Sequence, residues 1–431
     1  MNDCSNPSSR RRFLAGGAAA LAASALPAAR AQGTREITVL AHRVHQNAAT
    51  TGAGGDATAA FREATKLGVS WVTLGDVNAI HERLLREASL SATAIDVAFL
   101  LNGRANARNL ALFEPLDGLM KEAPIEDLAD FAPGLLQPFR SSAGLHGIPV
   151  RHSTNALVYN EDLFKERGVD PHFKTFEDVL AAARQLTFKR SDGTSVVGLS
   201  FAPQFASHFL TLSRCIGADY MLADRSIVAA EEPMVRFVEA MADLYKSGAL
   251  PRNFATQNNE EVATQIQQGR CAMSLNSLAR MPVLNDPVKS KYPGKIKPMT
   301  PPISAGPGGK GVYNAPVEFW ALMIPKNSAN KRQAWEFIRS LSSRNGTLQM
   351  ARNGNGPTRI STYQSLSDLP FAAAEAKALA QARAHLPAFD EQSRAHDIFI
   401  EETQGAIVGM KPVRQAMTDA TRRVRPLAFG G

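Results

Sequence analysis

The stretch "LHGIPVRHSTNALVYN", residues 145–160, marks the point at which the pattern of the chain changes. Residues 147–150 are extended in character and contain a proline, and residues 157–160 resume an apolar pattern before a new set of helices. The stretch therefore predicts a connection between two structural units, and the sequence on either side of it shows what those units are.

Upstream of this connection, three apolar segments predict strands at residues 34–41, 69–74 and 95–101. Apolar residues at spacings of three and four predict helices at 57–67 and 77–88 between them. Strands and helices that alternate in this way form a right-handed parallel α/β unit.

Downstream, the pattern predicts helices at 176–186, 233–246, 260–268 and 329–341 and strands at 272–275 and 319–324. Residues 301–311 (PPISAGPGGKG) predict a linker or hairpin, and residues 354–358 (GNGPT) interrupt the chain again. Breaks near 149, 300 and 357 predict three crossings between two lobes. A cleft between such lobes is the natural ligand site.

The N-terminus predicts export. Arg11 and Arg12 precede an apolar run at residues 13–26, and Ala29-Arg30-Ala31 offers small residues where a signal peptidase cuts. The motif resembles a twin-arginine signal, which we expect to occupy residues 1–31 and to be cleaved after Ala31. The expected location is the periplasm.

A glycine cluster raises an alternative. Gly52, Gly54 and Ala57 spell G-x-G-x-x-A with Asp76 about 20 residues later, which is the outline of a dinucleotide-binding fingerprint. It favours an exported NAD(P)-dependent oxidoreductase as the second hypothesis. However, about ten residues separate the first strand from Gly52, whereas that fold needs a tight turn directly after the strand. A long cleft loop over 42–56 is the preferred interpretation.

Other functional classes lack support in the sequence. His42-x-x-His45 has no cysteine or carboxylate cluster to complete a metal site, and no nucleophile motif is present. Basic residues are scattered through a chain that is 20% charged and 7% aromatic, without a nucleic-acid-binding patch. Cys215 and Cys271 could form a disulfide, but two separate buried thiols are favoured. We therefore expect no enzyme, cofactor or metal.

Residues 145–187 resemble the extracellular solute-binding proteins of ABC importers, the large family that includes maltose- and glycerol-phosphate-binding proteins. The matching motifs are Gly-Ile-Pro at 147–149, Tyr-Asn at 159–160, Leu-Phe at 163–164 and Gly-x-x-Pro at 168–171. Weaker similarities follow in order at 113–117, 269–273, 334–338 and 356–359.

The resemblance implies a two-lobed periplasmic-binding-protein fold of the α/β class, in which each lobe has a mostly parallel sheet flanked by helices and a three-segment hinge joins them. It assigns residues 32–149 and 301–356 to the N-terminal lobe and 150–300 and 357–431 to the C-terminal lobe. It also implies a monomer that closes on a small solute and delivers it to a membrane permease.

Cleft residues follow from the loops at the strand ends. Polar contacts are expected from Asn47, Asp76, Asn102, Asn276 and Glu318, with Trp320 or Tyr313 stacking on the ligand. Basic and imidazole side chains in the same loops are His42, Arg43, Arg104, Arg151, His152, Arg280 and Arg359. A carbohydrate or polyol is the expected solute, but two or more arginines in the cleft would favour a sugar acid or a polyol phosphate.

Overall fold

The computed structural model describes residues 36–299, 302, 305–306, 309–310, 317–369, 371–380 and 384–429. The predicted signal peptide, its cleavage site and Tyr313 lie outside these residues. Among the described residues, no helix is long and apolar enough to cross a membrane.

The strands are Glu36–His42 (β1), Gly68–Leu74 (β2), Val97–Leu101 (β3), Arg140–Ser141 (β4), Gly144–Leu145 (β5), Gly147–Asn160 (β6), Phe188–Lys189 (β7), Ser195–Ser200 (β8), Cys271–Ser277 (β9), Ile296–Met299 (β10), Ala305–Gly306 (β11), Gly309–Lys310 (β12) and Val317–Met323 (β13). The α-helices are Arg43–Thr50 (α1), Ala59–Thr65 (α2), Val77–Ala88 (α3), Ala107–Leu110 (α4), Asp117–Glu122 (α5), Pro133–Leu136 (α6), Glu161–Arg167 (α7), Phe176–Gln185 (α8), Ala206–Ser213 (α9), Glu232–Lys246 (α10), Asn259–Gln267 (α11), Met281–Leu284 (α12), Lys331–Leu341 (α13), Arg344–Arg352 (α14), Ala372–Ala380 (α15), Gln392–Ile407 (α16) and Val413–Phe429 (α17).

The first lobe is built on the predicted parallel unit. β1 pairs in parallel with β2 and β3, and β13 joins β3 in the antiparallel direction. α3 begins at Asp76, whose carboxylate accepts a hydrogen bond from the backbone N–H of Ala79 at 2.8 Å and so caps the helix. On one side of the sheet, Phe337 makes edge-to-face contacts with Phe61 and Trp71.

The long strand β6 joins the lobes. Its first half pairs with β13, and its second half pairs with β9 and β10, so one continuous strand belongs to both lobes. Pro149 lies within this strand opposite Ala321, where the pairing with β13 shifts register between Trp320 and Ala321. Because proline has no N–H to donate, an irregularity of this kind is where a strand accommodates it. The break predicted near 149 is therefore a shared strand.

The second lobe contains β8 and β9 as a parallel pair, with β7 antiparallel to β8. Its apolar core draws on residues 157–275 and 386–428, whereas the core of the first lobe draws mainly on 37–150 and 319–379. Two cores of this size indicate two lobes. Tyr363 and Leu379 pack with the first core, after the predicted crossing near 357.

Two local predictions have clear outcomes. The segment 42–56 is not wholly a loop, because α1 occupies Arg43–Thr50 and buries His45, Ala48 and Ala49 on one face. The Pro/Gly segment after residue 300 contains a short antiparallel hairpin of β11 and β12, as expected.

Candidate ligand-binding cleft

The carboxyl ends of the central strands in the two lobes face each other. β6 runs in the same direction as β1, β2 and β3, because it is antiparallel to β13, which is itself antiparallel to β3. β9 is antiparallel to β6 and parallel to β8, so β8 and β9 end toward the first lobe. The segments that follow β1, β2, β3, β8 and β9 therefore border one crevice, which β6 crosses. Ligands bind in such crevices in open α/β folds.

A cluster of neutral, buried rings lies at the carboxyl ends of the first-lobe strands, on the crevice side of that lobe. His81 stacks on Trp320 with ring centroids 5.2 Å apart, and His45 lies edge-on to Trp320 at 4.7 Å and stacks on Phe99 at 4.3 Å. Burial lowers the pKa of His45 and lowers that of His81 to about 3, so both imidazoles are neutral. Trp320 is only 8% exposed, and one face of its ring is covered by His81.

His42 caps α1. Its Nδ1 accepts a hydrogen bond from the backbone N–H of Val44 at 3.1 Å, which leaves Nε2 to donate to the carbonyl oxygen of Gly75 at 2.9 Å. Both ring nitrogens are therefore engaged in holding the ends of β1 and β2 together. No cluster of three or more potential metal ligands occurs among the residues that the structure describes.

The crossing strand carries Arg151 and His152 between the lobes. Arg151 Nη1 donates to Asn355 Oδ1 at 2.9 Å, and His152 Nε2 lies 2.8 Å from Tyr363 Oη. The backbone N–H of His152 donates to the carbonyl oxygen of Gly356 at 3.1 Å. A Cβ atom on Gly356 would lie 2.2 Å from His152 O, so only glycine lets these two segments approach so closely.

Arg151 is partly solvent-accessible although protein surrounds it, as expected for a side chain that lines a narrow cleft. Burial lowers its pKa to about 10, the nearby Glu375 opposes this effect, and the positive charge of Arg280 adds to it. The guanidinium nevertheless remains protonated at neutral pH. It brings a positive charge to the centre of the molecule.

Glu375 on α15 is buried close to this charge. Its Oε1 accepts a hydrogen bond from Thr154 Oγ1 at 3.2 Å. Burial raises the pKa of Glu375 to about 7, although hydrogen bonds from Thr154 and Tyr363 and the charge of Arg151 act in the opposite direction. This carboxyl group is therefore only partly ionised near neutral pH.

The second lobe contributes the opposite wall, behind the ends of β8 and β9. Asn276 is buried and its Nδ2 donates to Ser274 Oγ at 2.8 Å. Arg280 lies beyond β9 and pairs with Glu260 at 2.8 Å. His208 Nδ1 lies 2.8 Å from the carbonyl oxygen of Ala202, and burial lowers its pKa to about 4, so this imidazole is neutral as well.

Two polar side chains of the first lobe complete the site. Asn102 is 2% exposed; its Oδ1 accepts from the N–H of Phe319 at 3.2 Å, whereas its Nδ2 has no hydrogen-bond partner among the described residues. Glu318 is partly accessible, and burial raises its pKa while the charge of His396 lowers it. At this side the lobes touch, because a Cβ on Gly103 would lie 3.1 Å from Gln392 Oε1 on α16.

Comparison with known proteins decides the family. Residues 45–346 match the family model described as bacterial extracellular solute-binding protein. The chain belongs to this family. A protein of Sinorhizobium fredii, named a probable amino-acid ABC transporter periplasmic-binding protein, is 24% identical over 389 residues, which cover 87% of each chain.

Solved structures share the fold of the solute-binding protein. The maltose-bound MalE3 of T. maritima superimposes with a TM-score of 0.77 at 19% identity, covering 92% of this chain and 100% of that one. A solute-binding protein of Agrobacterium radiobacter K84 in complex with ribitol gives a TM-score of 0.76 at 18% identity, covering 91% and 98%. The two-lobed periplasmic-binding-protein fold is thereby confirmed.

The remaining predicted site residues lie in different environments. Arg43 and Asn47 are exposed on α1, and Arg104 donates to Asn78 Oδ1 at 2.9 Å. Arg359 is fully buried within the first lobe, over the Phe131 ring at 4.2 Å. Its guanidinium donates to the carbonyl oxygens of residues 126, 127 and 342 and to Asp130 Oδ2 at 3.3 Å. This side chain holds the lobe together and does not reach the cleft.

The glycine cluster packs against α14 of the solute-binding protein. The N–H of Gly54 donates to Asn353 Oδ1 at 2.7 Å, and a Cβ on Gly54 would lie 2.0 Å from the carbonyl oxygen of Gln349. A side chain on Gly52 would likewise collide with Asn353. These glycines allow close contact between two parts of one lobe, and α1 separates them from β1.

The sequence does not predict that His45, His81, His208 or Glu375 belongs to the site. His81 lies four residues after Val77 on the apolar face of α3, which is the pattern of a core residue. Glu375 is a lone carboxylate in an alanine-rich helix, and this isolated charge is the one sequence feature that could have indicated a role in the site. Cys215 and Cys271 are free and buried, as favoured, and burial raises the pKa of both thiols.

Proposed function

We propose that the protein captures a small polar solute, of carbohydrate or polyol type, in the cleft between its lobes and delivers it to a membrane permease. The observation that carries this proposal is the convergence of strand ends from both lobes on one crevice that holds polar groups such as Asn102 Nδ2 and the Arg151 guanidinium. The ribitol complex of the Agrobacterium relative and the maltose complex of MalE3 support this ligand class.

The mechanism follows from the arrangement of the cleft. A solute that contacts the first-lobe wall, β6 and the second-lobe wall together has more partners when the lobes are closed than when they are apart. Its binding free energy therefore favours the closed form. The closed form presents a surface formed by both lobes, which we propose the permease recognises. Catalysis has no part in this cycle.

The proposal includes the route and the organisation inferred from the sequence. We propose export by the twin-arginine route, cleavage after Ala31 and a periplasmic monomer. The sequence assigns residues 32–149 and 301–356 to the N-terminal lobe and 150–300 and 357–431 to the C-terminal lobe. Because Tyr363 and Leu379 pack with the first core, we propose that the last crossing lies after residue 379 and before residue 386.

A ligand panel followed by thermal unfolding tests the proposal. The panel contains neutral sugars and polyols, sugar acids, glycerol phosphates, polyamines and NAD(P). A true ligand at a hundred times its dissociation constant should stabilise the fold by about 2.7 kcal/mol. Stabilisation by NAD(P) alone would contradict the proposal and favour an oxidoreductase.

A pair of variants locates the site. Asn102→Ala should weaken the binding of the stabilising solute, because it removes a buried donor in the cleft. Asn345→Ala changes an exposed side chain on α14 and should leave affinity unchanged. Equal affinities for the two variants would place the solute elsewhere.

A further inference from the structure

The charge of Arg151 is left without a carboxylate partner in the described part of the chain. Two fully buried arginines each pair with an aspartate: Arg214 Nε lies 2.8 Å from Asp219 Oδ2, and Arg359 Nη1 lies 3.3 Å from Asp130 Oδ2. Arg151 forms no salt bridge with any described residue, and its hydrogen bond to Asn355 goes to a neutral amide oxygen. A buried guanidinium normally requires a paired anion.

Glu375 does not fill this role. It is close enough to influence Arg151, but its Oε1 accepts a hydrogen bond from Thr154, and the two side chains form no salt bridge. Its carboxyl group is also shifted toward the neutral form by burial. It therefore balances the arginine charge only in part.

Arg280 adds a second positive charge from the opposite wall. Arg280 comes three residues after Ser277, the end of β9, which pairs with Asn155 on the crossing strand, so Arg280 lies at the cleft end of β9. Its charge acts unfavourably on both Arg151 and His208. Its partner Glu260 is on the solvent side, with 80% of its side chain exposed. Two like charges from opposite sides of a cleft repel each other unless an anion lies between them.

Building on the proposed function, we propose that the solute carries an acidic group, a carboxylate or a phosphate, which binds to Arg151 and Arg280 when the lobes close. Both groups match the forked donor geometry of arginine. The Trp320 ring and the unpartnered amide of Asn102 are left to contact the uncharged part of the molecule.

Matched pairs of ligands test this inference by isothermal titration calorimetry. D-gluconate is compared with D-sorbitol, and glycerol 3-phosphate with glycerol, so each acid has a neutral counterpart of similar shape. The acid of at least one pair should bind at least tenfold more tightly than its neutral counterpart. Which pair shows the preference distinguishes a carboxylate from a phosphate.

Arginine variants assign the preference to the cleft. Arg151→Gln and Arg280→Gln should each weaken binding of the preferred acid by about ten- to a hundredfold, the usual effect of losing hydrogen bonds to a charged group. Arg151→Lys keeps the positive charge but lacks the paired guanidinium donors, so it should lose less affinity than Arg151→Gln. Arg332→Gln, on an 80% exposed side chain, is the matched control and should bind like the wild type. Circular dichroism and the unfolding temperature verify that each variant folds.

The possible results separate this inference from the proposed function. Equal affinity for the acid and the neutral polyol, unchanged in Arg151→Gln, would overturn the inference and leave solute capture standing. Failure of every acid in the panel to bind would also overturn it. If neither acids nor neutral polyols bind or stabilise the wild type, the proposed function fails together with it.

Discussion

Glu375 makes the stability of this protein depend on pH in a direction opposite to that of most carboxylates. The substitution Glu375→Gln keeps the size and shape of the side chain and leaves an oxygen to accept the hydrogen bond from Thr154. It removes the negative charge that burial disfavours. The folded state holds the proton of Glu375 more tightly than the unfolded state does, because burial raises its pKa from the ordinary 4.5 to about 7.

The magnitude follows from this difference in pKa. Between about pH 4.5 and pH 7 the folded protein binds more protons at this group than the unfolded chain, so its contribution to the free energy of unfolding falls as pH rises. The whole effect is on the order of 3 kcal/mol. Glu375→Gln has no such dependence, and we therefore expect it to gain about 3 kcal/mol relative to the wild type between pH 4.5 and pH 8.

Urea unfolding from pH 4.5 to 8.5, followed by tryptophan fluorescence, measures this gain. Glu63→Gln changes an exposed side chain of α2 and is the control. Its free energy of unfolding should vary with pH in parallel with that of the wild type. Arg151→Gln removes a charge that stabilises the ionised carboxylate, so it should steepen the dependence. Parallel curves for the wild type and Glu375→Gln would refute the reasoning.

Three further predictions concern packing and burial. Arg359→Met should cost about 3–5 kcal/mol of stability in urea unfolding, since it leaves Asp130 without its ion-pair partner and three carbonyl oxygens without the guanidinium donors. Solute affinity should persist; a large loss of affinity with normal stability would contradict this. Gly54→Ala should destabilise the protein by about 1–3 kcal/mol because the new Cβ would meet a backbone carbonyl at 2.0 Å. Gly118→Ala, with open space around it, should not destabilise the protein. Equal effects of the two substitutions would contradict this prediction. Alkylation followed by peptide mapping should leave Cys215 and Cys271 unmodified in the native protein and should label both in urea. Labelling of either cysteine in the native protein would show that it is not buried.

The α/β architecture was predictable because its elements have clear local signals. The helix predicted at 77–88 agrees with α3 residue for residue, since it has an amphipathic pattern and an aspartate cap. By contrast, α1 has eight residues and four polar or charged side chains among its first five, so its sequence reads as a loop. Its stability depends on contacts of His45 that only the folded sheet provides.

The continuity of the long strand β6 could not be predicted from the sequence. Pro149 and the glycine before it indicate a break, and only the partner strand reveals the irregular pairing that lets β6 continue. The sequence also does not show which arginine reaches the cleft. Arg151 and Arg359 both lie beside predicted hinge segments, and the sequence gives no reason to separate them. Distant residues decide that one guanidinium is enclosed by carbonyl oxygens and an aspartate, while the other faces the cleft.

The most direct test of solute capture is the distance between the lobes. Fluorophores attached at Leu90→Cys in the first lobe and Val288→Cys in the second use side chains that are 53% and 92% exposed, in a background with Cys4→Ser. Energy transfer between them is measured while a solute that stabilises the protein is added. If the lobes close on the solute, transfer efficiency should rise and saturate with the same dissociation constant as calorimetric binding. Saturable binding without any change in transfer would contradict capture by closure of the cleft.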